Sequence, residues 1–119
     1  MKKAYRIKKS TEIELVMKKG KSCANRTFIV YKYKNSTIND YRVAISAPKK
    51  LGNAVVRNKV KRQIRAIISQ NAHQQLEEGY DYFIIARPDV LEIDFLTMTK
   101  QVRHVFKLTR QAQVKTKGA

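Results

Sequence analysis

The chain has 119 residues, of which 26 are Lys or Arg and nine are Asp or Glu, so its formal net charge is +17 at pH 7. Because 43% of the residues are hydrophobic, a disordered basic tail is excluded, and the length fits one domain around one core. A charge of this size favours a polyanionic partner whose binding weakens steeply as salt rises.

Cysteine and histidine usage narrows the class further. Cys23 is the only cysteine, which excludes an internal disulfide and favours a reducing cytoplasm. The two histidines, His73 and His104, fit no metal-ligand spacing, and the four glycines form no nucleotide-binding loop. No apolar run approaches the roughly 18 residues that span a bilayer. We therefore expect a cytoplasmic protein with no membrane association, no metal site and no small-molecule substrate.

The first predicted element is a short helix over residues 11–19. Thr11 and Glu14 have the spacing of a capping box, apolar residues follow at helical spacing, and Gly20 stands where a C-terminal cap belongs. The ten residues before this helix form a basic arm that we expect to be flexible.

Strands are predicted next. The segments 27–33 and 41–47 are rich in β-branched and aromatic residues, which indicates an antiparallel pair joined by a loop. There is room for one more short strand around residues 20–26. Along the first of these strands, side chains must alternate between the two faces of the sheet.

The second half of the chain alternates helix, strand and helix. A helix is predicted over 54–70, and the continuous apolar run at 80–86 predicts a central strand buried on both faces. Asp94 opens a last helix over 93–112, and the tail 113–119 is expected to be flexible. The order α-β-β-α-β-α, with room for the extra strand, predicts a single domain in which helices pack on one small mixed sheet.

The predicted helix over 54–70 carries the densest charge. Five apolar residues share one side: Val56, Val60, Ile64, Ile67 and Ile68. Four polar residues line up on the opposite side: Asn58, Lys61, Arg62 and Arg65. A solvated helix face is the ordinary explanation of such a row. It is disfavoured because residues 41–76 contain eight cations and no acid, whereas a solvated face intermixes Glu with Lys.

The loop before this helix adds to the positive surface. Lys49, Lys50 and Asn53 precede the helix, and Arg57 and Lys59 lie in its first half, where cations oppose the helix dipole. Exposed backbone N–H groups at a helix start bind phosphate. The sequence therefore predicts a nucleic-acid surface over the loop and the helix.

Three acids, Asp89, Glu92 and Asp94, raise the alternative of a metal-dependent nuclease. Their position at the start of a helix favours a simpler role, in which they complement the helix dipole.

The segment "KKLGNAVVRNKVKRQIR" resembles the signature of the protein subunit of bacterial ribonuclease P, with Arg57, Asn58 and Lys59 at the Arg-Asn-Arg core. The third position is Lys, which keeps the charge and loses bidentate geometry. The segments "GKSCANRTFIVYKY" and "DYFIIAR" also resemble their counterparts, so the resemblance covers nearly the whole chain.

The resemblance implies an α+β fold, a two-layer sandwich with a mixed four-stranded sheet in the order α-β-β-β-α-β-α and with a left-handed βαβ crossover. It also implies a ribonucleoprotein that removes the 5′ leader of precursor tRNA. It implies that the RNA subunit holds the active site and the Mg²⁺ ions, that the protein has no catalytic residue, and that its partners are ribonuclease P RNA and precursor tRNA. The implied contacts to the catalytic RNA are Lys49, Lys50, Asn53, Arg57, Asn58, Lys59, Lys61, Arg62 and Arg65.

The resemblance also implies a cleft for the single-stranded leader, formed by the first helix and one face of the sheet. We assign Ile13, Met17, Arg26, Phe28, Val30 and Lys32 to it, and Tyr31 and Tyr33 to the other strand face. For Phe28, core packing is an equally good interpretation. Relatives commonly carry aromatic residues at the positions of Ile13 and Met17. The alternative function is that of a structural or ribosomal RNA-binding protein, which would share the same size and charge.

Overall fold

The computed structural model describes the backbone of residues 5–118 and the side chains of that range except 71, 73 and 112–118. The helices are α1 (Ser10–Lys19), α2 (Ala54–Ile67) and α3 (Phe95–Gly118), and a π-helical turn, Ile68–Ala72, extends α2. The strands are β1 (Lys21–Ala24), β2 (Phe28–Lys34), β3 (Arg42–Ser46) and β4 (Tyr80–Ala86). Short 3₁₀ turns occupy Lys49–Leu51, His73–Gln75 and Pro88–Glu92.

The four strands form one mixed sheet in the order β1-β2-β4-β3. β1 pairs with β2 and β2 with β4 in antiparallel fashion, whereas β3 and β4 are parallel. The α+β fold, the mixed four-stranded sheet, the extra strand before β2 and the central position of β4 are confirmed. The predicted pairing of 27–33 with 41–47 is wrong, because β4, which is buried on both faces, lies between β2 and β3. α2 connects the parallel strands, and the left hand of this crossover stays an implication of the resemblance.

Helices pack on both faces of the sheet, but unequally. α2 and α3 cover one face, where Phe28, Val30 and Tyr82 are fully buried with Ile64 and Phe106. This side holds the larger part of the core. α1 lies on the other face, where Val16, Ala44 and Phe83 form a smaller cluster with Ile7. The second face is therefore only partly covered, and it is the side on which an open surface remains.

The start of α1 differs from the prediction, whereas its end at Lys19 agrees with it. The helix begins at Ser10 after Lys9, with no side-chain cap, so the capping box of Thr11 and Glu14 is not formed. Gly20 follows the helix as predicted, in extended conformation with a φ of −77°. A Cβ on Gly20 would lie 2.4 Å from the carbonyl oxygen of Val16 and 2.7 Å from that of Lys32 on β2. Glycine is therefore required here because two backbone segments approach each other closely. It is not required for a left-handed backbone conformation, which Gly20 does not adopt.

The other helix starts agree with the sequence. Asn53 caps α2 by accepting a hydrogen bond from the backbone N–H of Val56, and Asp94 caps α3 by accepting one from the N–H of Thr97 at 2.7 Å. α3 continues past the predicted end at 112, to Gly118. The flexibility of the arm 1–10 and the tail 113–119 stays a prediction, and residues 1–4 and 119 lie outside the described residues.

Candidate nucleic-acid interface

α2 separates its apolar and basic sides as the sequence predicted. Val60, Ile64 and Ile67 are buried against the sheet, while Asn58, Lys59 and Arg62 are exposed and Lys61 is half-buried. The first turn of α2 contains no acidic residue. The exposed side of α2 is thus a row of positive charge with a rigid apolar support behind it, which is the arrangement that a phosphate backbone requires for several simultaneous contacts.

The loop before α2 is fixed by local structure. Leu51 is 4% exposed and holds the 3₁₀ turn in the core, which leaves Lys49 and Lys50 exposed beside the start of the helix. Gly52 has a φ of +143°, a value that side-chain-bearing residues rarely adopt. The turn therefore places both lysines and the capped helix start on one surface.

Two of the predicted contact residues also have structural roles that the sequence did not reveal. The amide of Asn53 is used in the helix cap. Arg57 is half-buried, and its Nε donates a hydrogen bond of 2.8 Å to the carbonyl oxygen of Ala47 just after β3. This bond holds the first turn of α2 against the end of β3. A substitution at either residue will therefore change the local structure as well as any contact with RNA.

Arg65 departs from the rest of the basic row. It is half-buried and lines a cavity together with Arg6 of the N-terminal segment. The pKa of Arg65 is lowered, first because burial removes water from its guanidinium and then because Arg6 is a like charge nearby. Sequence reasoning counted Arg6 only as part of a basic arm and missed this pairing, which depends on the fold alone.

The assignment of Phe28, Val30 and Lys32 to the leader cleft is wrong. Phe28 and Val30 are fully buried beneath α2 and α3, so no ligand reaches them. Lys32 is 7% exposed, and its Nζ lies 3.2 Å from a carboxylate oxygen of Glu77 and 4.3 Å from the ring centre of Tyr80. The alternative of core packing for Phe28 is correct. Alternation along β2 separated two sets of residues, but it did not say which set faces the larger helical layer.

The opposite face of β2 carries a partly open aromatic surface. Tyr31 and Tyr33 are half-buried there and, like Ile13 of α1, pack against the cluster that contains Phe83. The rings of Tyr31 and Phe83 have centroids 6.4 Å apart. Met17, one turn after Ile13, is 42% exposed. Ile13 thus packs against the same cluster as these aromatic residues, and Met17 follows it one turn later in α1. Aromatic surfaces of this kind stack on single-stranded bases.

Arg26 lies at the turn between β1 and β2. Its side chain is 78% exposed, and its Nε is 3.5 Å from a carboxylate oxygen of Asp89. Asp89 also accepts a 2.7 Å hydrogen bond from the hydroxyl of Thr27. The turn itself is held by Asn25, whose side-chain oxygen accepts hydrogen bonds from the backbone N–H groups of Thr27 and Phe28. Arg26 is thus an accessible cation at this edge of the sheet.

Two of the three acids that raised the alternative of a metal site, Asp89 and Asp94, have protein groups as partners. Asp89 binds Thr27 and Arg26, and Asp94 caps α3, where hydrogen bonds from Thr97 lower its pKa. Within residues 5–118, leaving aside the side chains that are not described, no group of three or more His, Cys, Asp or Glu residues is placed to hold a metal ion. In the same part of the chain no helix is long and apolar enough to cross a membrane.

Comparison with known proteins identifies relatives along nearly the whole chain. Residues 1–110 match the family model of ribonuclease P proteins. The ribonuclease P protein component of Bacillus cereus is 42% identical over 115 residues, which are 97% of this chain and 99% of the relative.

Solved structures show the same fold. The ribonuclease P protein of Staphylococcus aureus superimposes with a TM-score of 0.82 at 42% identity and covers 90% of this chain and 96% of its own. That of Thermotoga maritima has a TM-score of 0.77 at 30% identity, over 86% and 94% of the two chains. The chain therefore belongs to the ribonuclease P protein family, the protein subunit of a ribonucleoprotein that processes the 5′ end of tRNA.

Proposed function

We propose that this chain contributes no catalytic residue, and that it binds both the catalytic RNA and the leader of precursor tRNA. The absence of a catalytic residue is supported by three described carboxylates, because each of them already has a structural partner. Asp81 binds Arg42, Asp89 binds Thr27, and Asp94 caps α3. The Mg²⁺ ions that the reaction requires would be held by the RNA subunit, so no residue of this chain is assigned to them.

The observation that carries the RNA contact is the exposed basic row of α2, continuous with Lys49 and Lys50. Repulsion within this surface costs free energy in the isolated protein, and a phosphate backbone removes that cost while releasing counterions. Seven predicted residues remain accessible or partly accessible for this contact: Lys49, Lys50, Asn58, Lys59, Lys61, Arg62 and Arg65. Asn53 and Arg57 are proposed to position the loop and the helix.

The leader surface is proposed on the α1 side of the sheet. Ile13 and Met17 keep their assignment, and Tyr31 replaces the buried residues of β2. A partly open face with an aromatic pair accepts unpaired bases without reading their sequence. Binding of the leader there would raise the affinity for precursor tRNA relative to that for mature tRNA, because mature tRNA lacks the leader. A cytoplasmic location, predicted from the single cysteine, stays part of the proposal.

The test is cleavage of precursor tRNA at low magnesium by a bacterial ribonuclease P RNA, with and without this protein. We expect the protein to stimulate cleavage, and the protein alone to be inactive. Stimulation is expected because added cations screen the repulsion between two RNAs when magnesium is scarce. Intact RNA binding without stimulation would favour a structural RNA-binding protein. Cleavage by the protein alone would show that the chain has its own catalytic site.

A further inference from the structure

A cavity of about 130 Å³ opens at the outer edge of the sheet, beside β3. It is lined by an apolar set and by two arginines: Ile7, Ile13, Val43, Ala44, Ile45, Arg6 and Arg65. Val43 and Ala44 are consecutive, so their side chains point to opposite faces of the sheet. The cavity therefore lies where the side of α2 meets the side of α1, at the junction of the two proposed RNA surfaces.

The N-terminal segment holds Arg6 in this position. Its backbone pairs with the free edge of β3 through a parallel bridge between Arg6 and Val43, and the N–H of Ile7 donates a 3.1 Å hydrogen bond to the carbonyl oxygen of Val43. Ile7 itself is 6% exposed. Arg6 thus extends from an anchored backbone, although the residues before it belong to a basic arm.

Neither guanidinium group forms an ion pair within the described part of the chain. The described ion pairs involve Arg26, Arg42, Arg110 and Lys32 and include neither Arg6 nor Arg65. Glu12, next to Ile13 in α1, is held by Arg42 at 2.7 Å. Two like charges that share a cavity without a counter-charge cost free energy, and an external anion placed between them would remove that cost.

The shape of the cavity limits what that anion can be. Pockets for complete small molecules have volumes of roughly 300 Å³ or more, so this cavity takes one chemical group and not a whole metabolite. Five aliphatic side chains contribute to its lining, and they favour a base or ribose over a hydrated inorganic ion. A nucleotide has both parts, and its phosphate can bind guanidinium groups in bidentate fashion. Bases in paired RNA are stacked within the helix, so a single strand fits better than a folded one.

We propose that Arg6 and Arg65 together bind one phosphodiester of the single-stranded leader of precursor tRNA, with an adjacent base or ribose against the aliphatic side chains of the cavity. This inference rests on the proposed function and adds Arg6 as a contact. The leader would then pass from the α1 side of the sheet to the edge of β3, close to the start of the surface that binds the catalytic RNA. In this arrangement Arg65 contacts the substrate and not the catalytic RNA, which leaves Lys49, Lys50, Asn58, Lys59, Lys61 and Arg62 for the catalytic RNA.

The experiment measures the affinity of the assembled ribonucleoprotein for precursor tRNA with a leader and for mature tRNA. The protein is added at concentrations that saturate the RNA subunit, so that weaker assembly is not mistaken for weaker substrate binding. Arg6→Ala, Arg65→Ala and the double variant are compared with Arg103→Ala, which removes one exposed charge from α3. Arg6→Lys keeps the charge but loses the planar guanidinium that binds phosphate in bidentate fashion. Thermal unfolding of Arg6→Ala and Arg6→Lys is measured as a control for folding.

We expect Arg6→Ala to weaken precursor binding on the order of tenfold and to leave mature tRNA unaffected. The double variant should lose little more than either single variant, because both arginines bind the same phosphate. Arg6→Lys should be intermediate, and Arg103→Ala should change precursor affinity much less.

Three results would overturn the proposal. If the wild type prefers precursor over mature tRNA and Arg6→Ala keeps that preference, the arginine pair does not bind the leader, while the proposed function stands. If Arg6→Ala instead weakens assembly with the RNA subunit alone, the phosphate belongs to the catalytic RNA. If the wild type shows no preference for precursor, the leader contact and the proposed function both fail.

Discussion

Arg42 on β3 donates hydrogen bonds from Nε and Nη2 to both carboxylate oxygens of Asp81 on β4, at 2.9 Å each. The same Nη2 donates a 2.7 Å hydrogen bond to Glu12 of α1. Asp81 is 3% exposed, and Asn35 donates a further hydrogen bond to it. One guanidinium thus joins two strands and α1, the helix that forms one wall of the proposed leader surface.

Removing one partner of this pair should be costly. Asp81→Ala leaves the guanidinium of Arg42 without its main counter-charge, and we expect the free energy of unfolding to fall by about 3 kcal/mol, measured by urea denaturation. Glu12→Ala keeps the pair between Arg42 and Asp81 and removes a more exposed carboxylate, so its cost should stay below about 1 kcal/mol. Equal losses in the two variants would contradict a central role for Asp81.

The basic side and the apolar side of α2 should separate experimentally. Arg62→Ala removes an exposed cation, so we expect weaker binding to the catalytic RNA, unchanged thermal unfolding and a slope of log K against log salt reduced by about one. Ile64→Asp places an unpaired charge in the fully buried core and should unfold the protein, at a cost above about 4 kcal/mol. Normal RNA binding by Arg62→Ala would remove this surface from the interface.

Asn53 allows its two proposed roles to be separated. Asn53→Ala removes the cap of α2 and should lower stability by about 1 kcal/mol. Asn53→Asp keeps an oxygen acceptor and adds a charge that the helix dipole favours, so stability should be retained. The same negative charge lies beside Lys49 and Lys50 and should weaken RNA binding, measured by filter binding at fixed salt. If Asn53→Asp binds RNA like the wild type, the loop does not approach phosphate.

An aromatic residue on α1 should strengthen binding of the leader. Met17 is 42% exposed and lies one turn after Ile13, which packs against the cluster on this face of the sheet, so Met17→Phe adds a ring at the proposed leader surface. Stacking on one base is worth roughly 1 kcal/mol or more, which corresponds to at least about a fivefold gain in precursor affinity. Leu15→Phe is the matched control, because Leu15 is similarly exposed at 39% and lies on the other flank of the helix. A similar gain in both variants would indicate a non-specific effect.

Alkaline pH should destabilise the protein through buried tyrosines. Tyr41 is 4% exposed and stacks on Tyr5, and burial raises its pKa from 10 to about 12. Below pH 10 Tyr41 is protonated in both the folded and the unfolded state, so it contributes no pH dependence. Between pH 10 and 12 only the unfolded state loses the proton, so the free energy of unfolding falls as pH rises.

Tyr82, whose pKa is also raised by burial, extends this effect to still higher pH. The check is urea denaturation from neutral pH to pH 12, with tyrosinate absorbance followed in parallel. Tyr41→Phe removes one titrating group and should flatten the decline between pH 10 and 12. An unchanged decline in that variant would show that Tyr41 does not titrate in this range.

Most of the fold followed from local patterns. The apolar residues of α2 and the continuous apolar run of β4 correctly predicted a supporting helix and a central strand, because both patterns report burial directly. The pairing of β2 with β3 was wrong because neighbours in sequence were assumed to be neighbours in the sheet. Only the double-sided burial of 80–86 argued for inserting that strand between them.

The candidate sites were predictable to different degrees. The exposed row Asn58, Lys61 and Arg62 follows from helical spacing and the absence of acids. The leader surface required knowledge of which face of β2 meets the larger helical layer, and alternation is symmetric in that respect. Arg6 and Arg65 are far apart in the sequence. Their position in one cavity depends wholly on the tertiary fold, so no local pattern could predict it.

The most direct measurement is the ratio of the dissociation constants of precursor and mature tRNA for the RNA subunit, with and without this protein, at fixed low magnesium. If the protein binds the leader, it should lower the dissociation constant of precursor tRNA and leave that of mature tRNA nearly unchanged. Shortening the leader should then abolish the gain in affinity. If precursor and mature tRNA tighten equally, the protein acts by general charge screening, and the leader surface on the α1 side of the sheet does not exist.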